Sequence, residues 1–147
     1  MRKGLSAVVA VCLAMGCGGD DDPSLEGAWG ADEDEGCRSA LIFKGDTFEE
    51  VYACELEDGT FGYESYRGTY SESDGKISVH ITASSCPDTD ASTETLSYEF
   101  VGPRLRVSTS RSIALYERIP PAMGSGSAEY GCYDGDTFEP SPVKPLR

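Results

Sequence analysis

Lys76-Ile77-Ser78-Val79-His80-Ile81-Thr82-Ala83 is the stretch that decides the fold. Ile77, Val79 and Ile81 fall on one face and Ser78, His80 and Thr82 on the other, the period-two pattern of a half-buried strand. Leu96, Tyr98 and Phe100 repeat it, as do Leu105 and Val107. Working outward, β-prone runs stand at 25–30, 38–44, 47–54, 61–70, 76–83, 93–101, 104–109 and 112–118. Turn chemistry cuts them apart: Lys44-Gly45-Asp46, Glu57-Asp58-Gly59, Ser73-Asp74-Gly75 and Val101-Gly102-Pro103. No helical stripe follows the first seventeen residues. The pattern predicts an all-β chain, an eight-stranded antiparallel up-and-down barrel, with an open or sandwiched sheet as the alternative. Closure would leave no exposed strand edges.

The chain begins with Arg2 and Lys3, then an uncharged apolar run from Leu5 to Met15 that stops at Gly16-Cys17. A basic start, a short apolar segment and a small residue before the cut describe a secretory signal, too short to span a bilayer. Leu13-Ala14-Met15-Gly16-Cys17 resembles the lipobox of bacterial lipoproteins, although Ala14 stands where leucine is more usual. That resemblance implies cleavage before Cys17, acyl chains on its sulfur and new N-terminus, and an outer-membrane destination on the periplasmic or surface face. A plainly secreted protein is the alternative. The expected divisions are a signal peptide over 1–16, an acidic flexible tether over 17–24, a barrel over 25–119 and a tail over 120–147.

Loss of the signal takes Arg2 and Lys3 with it and moves the formal charge from −14 to −16. A surface this acidic repels phosphate backbones, so nucleic acid is not an expected partner. Cys12 belongs to the signal and Cys17 to the anchor, which leaves Cys37, Cys54, Cys86 and Cys132. An even number in an oxidising compartment reads as two disulfides. No C-x-x-C spacing supports a metal site, and no cofactor is expected. If strands run alternately up and down, Cys37, Cys54 and Cys86 share one rim. The expected pairs are Cys54–Cys86 and Cys37–Cys132, the second pinning the tail to the loop after the first strand. Cys37–Cys54 with Cys86–Cys132 is the alternative.

Leu25-Glu26-Gly27-Ala28-Trp29 resembles the Gly-x-Trp opening of a lipocalin-type, or calycin, barrel. In that superfamily the tryptophan plugs one end, and a basic residue late in the last strand packs over it. Arg118 in Leu115-Tyr116-Glu117-Arg118-Ile119 matches that position, and a guanidinium over an indole face contributes about 0.5–2 kcal/mol. The resemblance covers 25–119 and implies that Trp29 and Arg118 close the barrel.

Beyond residue 119, Pro120-Pro121 ends the last strand and Gly124-Ser125-Gly126-Ser127 reads as linker. The remainder is expected as irregular covering, with Tyr130, Tyr133 and Phe138 available to dock. The lone histidine, His80, should face water and has no catalytic companion in sequence. Asp32-Glu33-Asp34-Glu35 and the alternating Asp88, Asp90, Ser92 and Glu94 faintly resemble calcium loops. Thr93, however, stands where such a loop needs glycine, and solvated acidic loops are the plainer reading. The aromatics Phe43, Phe48, Tyr52, Phe61, Tyr63, Tyr66, Tyr70, Tyr98, Phe100 and Tyr116 would fill an eight-stranded interior or line a pocket for one small ligand, and filling is favoured.

The function expected is a lipid-anchored extracytoplasmic binding module, monomeric and without enzymatic activity, that holds a small apolar ligand or meets a protein partner at its loop rim. A protease inhibitor of the small-barrel type and a structural envelope lipoprotein are the alternatives.

Overall fold

The computed structural model describes residues 23–33, 36–120 and 128–147. The signal peptide, Cys17 and most of the tether lie outside the described residues. Eight antiparallel strands form the body: β1 (Gly27–Asp32), β2 (Cys37–Lys44), β3 (Thr47–Glu55), β4 (Phe61–Ser73), β5 (Lys76–Ser84), β6 (Ser92–Val101), β7 (Arg104–Ser108) and β8 (Ile113–Ile119). Each pairs with the next, and β8 returns to β1 through Ala28↔Ile119, Trp29↔Arg118 and Gly30↔Glu117. The sheet is therefore a closed barrel, and the strands sit within two or three residues of the runs read from sequence. Its hairpins use the residues their turns require. Asp74 and Gly75 both take positive φ, 51° and 75°, between β4 and β5, the geometry an Asp-Gly two-residue turn supplies.

Alternation sorts side chains into an inner and an outer set. Trp29, Leu41, Phe43, Phe48, Ile77, Val79, Ile81, Leu96, Leu105, Val107 and Tyr116 form the buried core with Leu25. Phe43 and Phe48 face each other across β2 and β3 with ring centroids 5.3 Å apart, and Phe43 meets Tyr70 at 4.9 Å. These contacts gather at the end where β1 begins, which is closed.

The opposite end splays. β4 runs past the end of β5, whose last residue, Ser84, lies opposite Tyr66, so Phe61–Ser65 have no β5 partner; the pairing also shifts register between Arg67 and Gly68. There β9 (Ala128–Asp134) lies parallel to β4 through Phe61↔Ala128, Gly62↔Glu129 and Tyr63↔Tyr130. β10 (Thr137–Pro140) pairs back on β9, and β11 (Lys144–Pro145) pairs with Ala83 and Ser84 beyond the start of β6. The tail, expected as irregular covering, thus rebuilds the wall that β5 and β6 leave unfinished. Ser65 and Ser85 are fully buried beneath it, and the Ser85 hydroxyl bridges the Ser65 N–H and the Gly131 carbonyl.

The disulfides are Cys37–Cys54 and Cys86–Cys132. The expected Cys54–Cys86 and Cys37–Cys132 pairs do not form. Cys37 and Cys54 are directly opposed in the β2–β3 register, their Cα atoms 4.1 Å apart, so a hairpin partner wins over a rim neighbour. Cys86 is then free for Cys132, and the tail is tied to the end of β5 instead of the β1–β2 loop.

Gly68 sits at the register shift with the β5 backbone against it. A Cβ there would lie 2.7 Å from the His80 carbonyl carbon and closer still to its oxygen. Backbone cannot move aside as a side-chain tip can. Gly68→Ala should cost about 3 kcal/mol, at the upper end for an overpacked site, measured by urea denaturation. A loss below 1 kcal/mol would mean the bulge is not locked.

Candidate functional site

The closed end is built from the chain's first described residues. The Trp29 indole N–H donates to the Leu25 carbonyl at 2.9 Å, and the Arg118 guanidinium carbon stands 4.3 Å from the indole ring centroid. Arg118 also donates to the Ser24 and Glu26 carbonyls, each at 2.6 Å. Residues 24–26 are therefore strapped across this end, and the Glu26 carboxylate accepts the Gly45 N–H of the neighbouring turn. The sequence-predicted pair Trp29 and Arg118 lies together here.

Toward the open end the inner rows change character. On β3 the residues in phase with Phe48 are Glu50 and Tyr52; opposite them on β4 stand Tyr66 and Glu64. Tyr116 on β8 and Glu94 on β6 occupy the same half, Glu94 opposite the core residue Val79. The Tyr66 hydroxyl donates to Glu64 at 2.5 Å, and Ser39 donates to Glu33 at 2.9 Å. Burial pushes the Tyr66 and Tyr116 phenols up, and neighbouring carboxylates add to it: Glu64 and Glu50 at Tyr66, Glu50 and Glu33 at Tyr116.

Glu50 is the informative member. Its side chain remains accessible to water. Its carboxyl is nevertheless held above the usual range, first by desolvation from crowding protein atoms, then by Glu94 and Glu64. Its side chain stands on the inward-facing row of β3, opposite Tyr66 and in reach of the charges on Glu64 and Glu94. The inner rows therefore differ along the barrel: Trp29, Phe43, Phe48, Ile77 and Leu105 pack the closed half, while toward the open end Glu50, Tyr52, Glu64 and Tyr66 take their place beside the buried Tyr116. The aromatics neither all fill nor all line.

Glu50 protonates more readily in the fold than in the unfolded chain. That contribution to stability is complete below the ordinary carboxylate range and is lost as pH rises through the group's own raised midpoint. Glu50→Gln should accordingly stabilise the protein at pH 7, with the gain vanishing in acid. Denaturant melts at the two pH values read it; equal effects at both would contradict the inward placement.

The tail hairpin completes the rim. The Tyr133 hydroxyl donates to the Gly62 carbonyl at 2.7 Å and its backbone N–H donates to Glu64 at 2.9 Å. Its ring packs edge-on against Tyr52 at 5.6 Å and against Phe138 at 4.9 Å. Outside the barrel, Arg67 pairs with Glu49 at 3.0 Å and lies over Tyr130 at 5.3 Å.

The other sequence candidates fall elsewhere. His80 is exposed on the outer wall, with Nδ1 2.9 Å from the Thr93 hydroxyl. Asp32 pairs with Arg38 at 3.1 Å, and Asp34 and Glu35 lie outside the described residues. Asp88, Asp90 and Glu94 are all exposed, and Glu94, in phase with the core residue Leu96, acts on Glu50 by its charge. Glu64, Cys86 and Cys132 lie near one another, but both sulfurs are consumed in the disulfide and offer no thiolate. An open groove of about 400 Å³ runs along the outer wall past Gly30, Arg38, Arg104, Leu115, Glu117 and Ile119. Its charges satisfy one another, Arg104 with Glu117 and Arg38 with Asp32, each at 3.1 Å.

Sequence reading missed Glu50. The available signal was its phase: it stands two residues from Phe48 and two from Tyr52, but Glu49 beside it obscured which of the pair turns inward.

Neither a protein-family model nor a curated protein sequence matches the chain. Among solved structures, it is similar to a lipocalin-like protein from Bacteroides uniformis, with 17% sequence identity and a TM-score of 0.46. The match covers 65% of this chain and 98% of that one.

Proposed function

We propose that this chain is a lipid-anchored extracytoplasmic binding module that takes one small ligand into the open half of its barrel and performs no chemistry on it. The observation that supports the reading is the inward-facing row of Glu50, Tyr52, Glu64 and Tyr66 toward the open end, where Glu50 is solvent-accessible and its carboxyl is held above the usual range by desolvation and by Glu94 and Glu64. The lining narrows the ligand. Tyr52 and Tyr66 offer partly exposed aromatic surface, and the Glu50 carboxyl seeks hydrogen-bond donors or positive charge. A wholly apolar ligand would leave the Glu50 carboxyl desolvated and unpaired, so the ligand has an apolar body and a polar, donor-bearing end.

The residues 13–17 support anchoring, since acyl chains on Cys17 each contribute about 0.8 kcal/mol per buried methylene and together hold a protein durably. A free N-terminal segment is what small-barrel protease inhibitors insert into their targets. Here residues 24–26 are bound beneath Arg118, which counts against that alternative.

Native mass spectrometry of protein extracted from its host membrane tests the reading. A small molecule bound to the wild type and at least tenfold depleted in Glu50→Gln is the expected result. Wild-type protein free of any small molecule, or equal occupancy in the variant, would overturn lumen binding.

A further inference from the structure

The open end of the barrel is tied to a cystine. Cys86, just past β5, is 7% exposed, whereas its partner Cys132 on β9 is only half-buried. The Tyr66 hydroxyl stands 3.6 Å from the Cys86 sulfur while donating to one oxygen of Glu64, and the other oxygen of Glu64 accepts the Tyr133 N–H. A Glu64 carboxylate oxygen and the two sulfurs lie within 4.8 Å of one another. The disulfide therefore touches both the inner row at the open end and the hairpin docked against it.

The other ties on that hairpin are few. β9 has three ladder pairs with β4, and β11 beyond it has two with β5. Tyr133 and Ser85 add hydrogen bonds to Gly62 and Gly131, and Phe138 lies over Gly62. Cys37–Cys54 is a different case, since it joins strands that share eight ladder pairs and would stay together without it. Only Cys86–Cys132 couples a cystine to an element that can leave.

We propose that Cys86–Cys132 is a redox latch on the open end: a dithiol reductant opens it, the β9–β10 hairpin leaves the rim, and the ligand is released. The ligand step rests on the binding reading above; the latch does not. A thiolate of the reductant attacks the less buried sulfur, Cys132 Sγ. The Sγ–Sγ bond breaks and its electron pair leaves on Cys86 Sγ, where the Tyr66 hydroxyl hydrogen-bonds the new thiolate until water protonates it. The second thiol of the reductant then displaces Cys132, which takes a proton in turn. Two electrons and two protons have passed to the protein, and the reductant ends as a disulfide. Glu64, beside both sulfurs, disfavours their thiolates and keeps the open pair as thiols. Thiolate is the attacking form, so the hairpin stays free until a thiol oxidant recloses the bond. In the open state Tyr52 loses the Tyr133 ring and Glu64 loses the Tyr133 N–H, which alters the row proposed to hold the ligand.

The full chain extracted from its host membrane, carrying Cys37→Ser/Cys54→Ser, is treated with dithiothreitol without denaturant and compared with the untreated protein. Wild type with alkylation and peptide mapping serves if that variant is unstable. Alkylation should show Cys86 and Cys132 open. Amide exchange in β9 should rise at least tenfold with β1–β8 still protected, and the small molecule seen by native mass spectrometry should fall at least fivefold. Diamide should reverse both, and Tyr66→Phe should slow opening at least threefold. A cystine that stays closed under the reductant, or exchange unchanged after complete opening, overturns the latch. Opening at the unmodified rate in Tyr66→Phe overturns the part given to that hydroxyl. A freed hairpin with unchanged occupancy overturns the coupling to ligand alone. Untreated protein carrying no small molecule overturns the binding reading, and the exchange result still decides the latch.

Discussion

Trp29→Ala should destabilise the protein by about 5 kcal/mol, enough to leave most molecules unfolded near physiological temperature. Trp29 is 2% exposed, touches Phe100 with ring centroids 6.0 Å apart and supports the Arg118 guanidinium above it. Truncation removes a large buried apolar surface and leaves a cavity at the end of a barrel whose closing strands, β1 and β8, share few ladder pairs. It also orphans the Leu25 carbonyl. Arg118→Ala should cost less, about 2 kcal/mol, because it deletes the cation–π contact and two hydrogen bonds but no core volume. Urea melts followed by circular dichroism check both, since the variant lacks the only tryptophan. The pair should couple in a double-mutant cycle. Additive effects would mean that Arg118 does not depend on the indole beneath it.

Removing Cys86–Cys132 should be the second largest loss, about 4 kcal/mol in the chain-entropy view, for residues 46 apart in sequence. Removing Cys37–Cys54, only 17 apart, should cost about 1 kcal/mol less. The consequences differ in kind as well. The β2–β3 hairpin has a full ladder and keeps its register without its disulfide. β9 has only three parallel pairs with β4, so Cys86→Ser/Cys132→Ser should free the tail and expose Ser65, Ser85 and the Tyr52 ring. Hydrogen exchange would show fast amides in 128–140 with a protected barrel. Protection of those amides equal to the wild type would show that Tyr133 and Gly131 hold the tail unaided.

The strands were legible because half-burial writes a period of two into Ile77–Val79–Ile81 and its relatives, and because Gly and Asp mark the turns. The Trp29–Arg118 contact was legible through a resemblance that closure makes geometrically sensible. The disulfide pairing was not, because rim sharing allowed several partners and the choice depended on the β2–β3 register, which brings Cys37 directly opposite Cys54. The tail was hidden for a different reason. Its docking depends on a gap left where β4 outruns β5, and the point at which one strand stops short of its neighbour is invisible in composition or alternation. Glu50 was obscured because a charged residue in phase with an aromatic row looks like a surface residue until the opposing β4 row, Tyr66 and Glu64, closes over it.

The proposed ligand recess at the open half of the barrel can be tested at one atom. Carboxyl-carbon NMR across a pH titration follows Glu50 alone when compared with Glu50→Gln. A midpoint above the ordinary glutamate range, shifting when a donor-bearing ligand is added, is the expected result. A midpoint at or below that range would place Glu50 in open solvent and remove the recess.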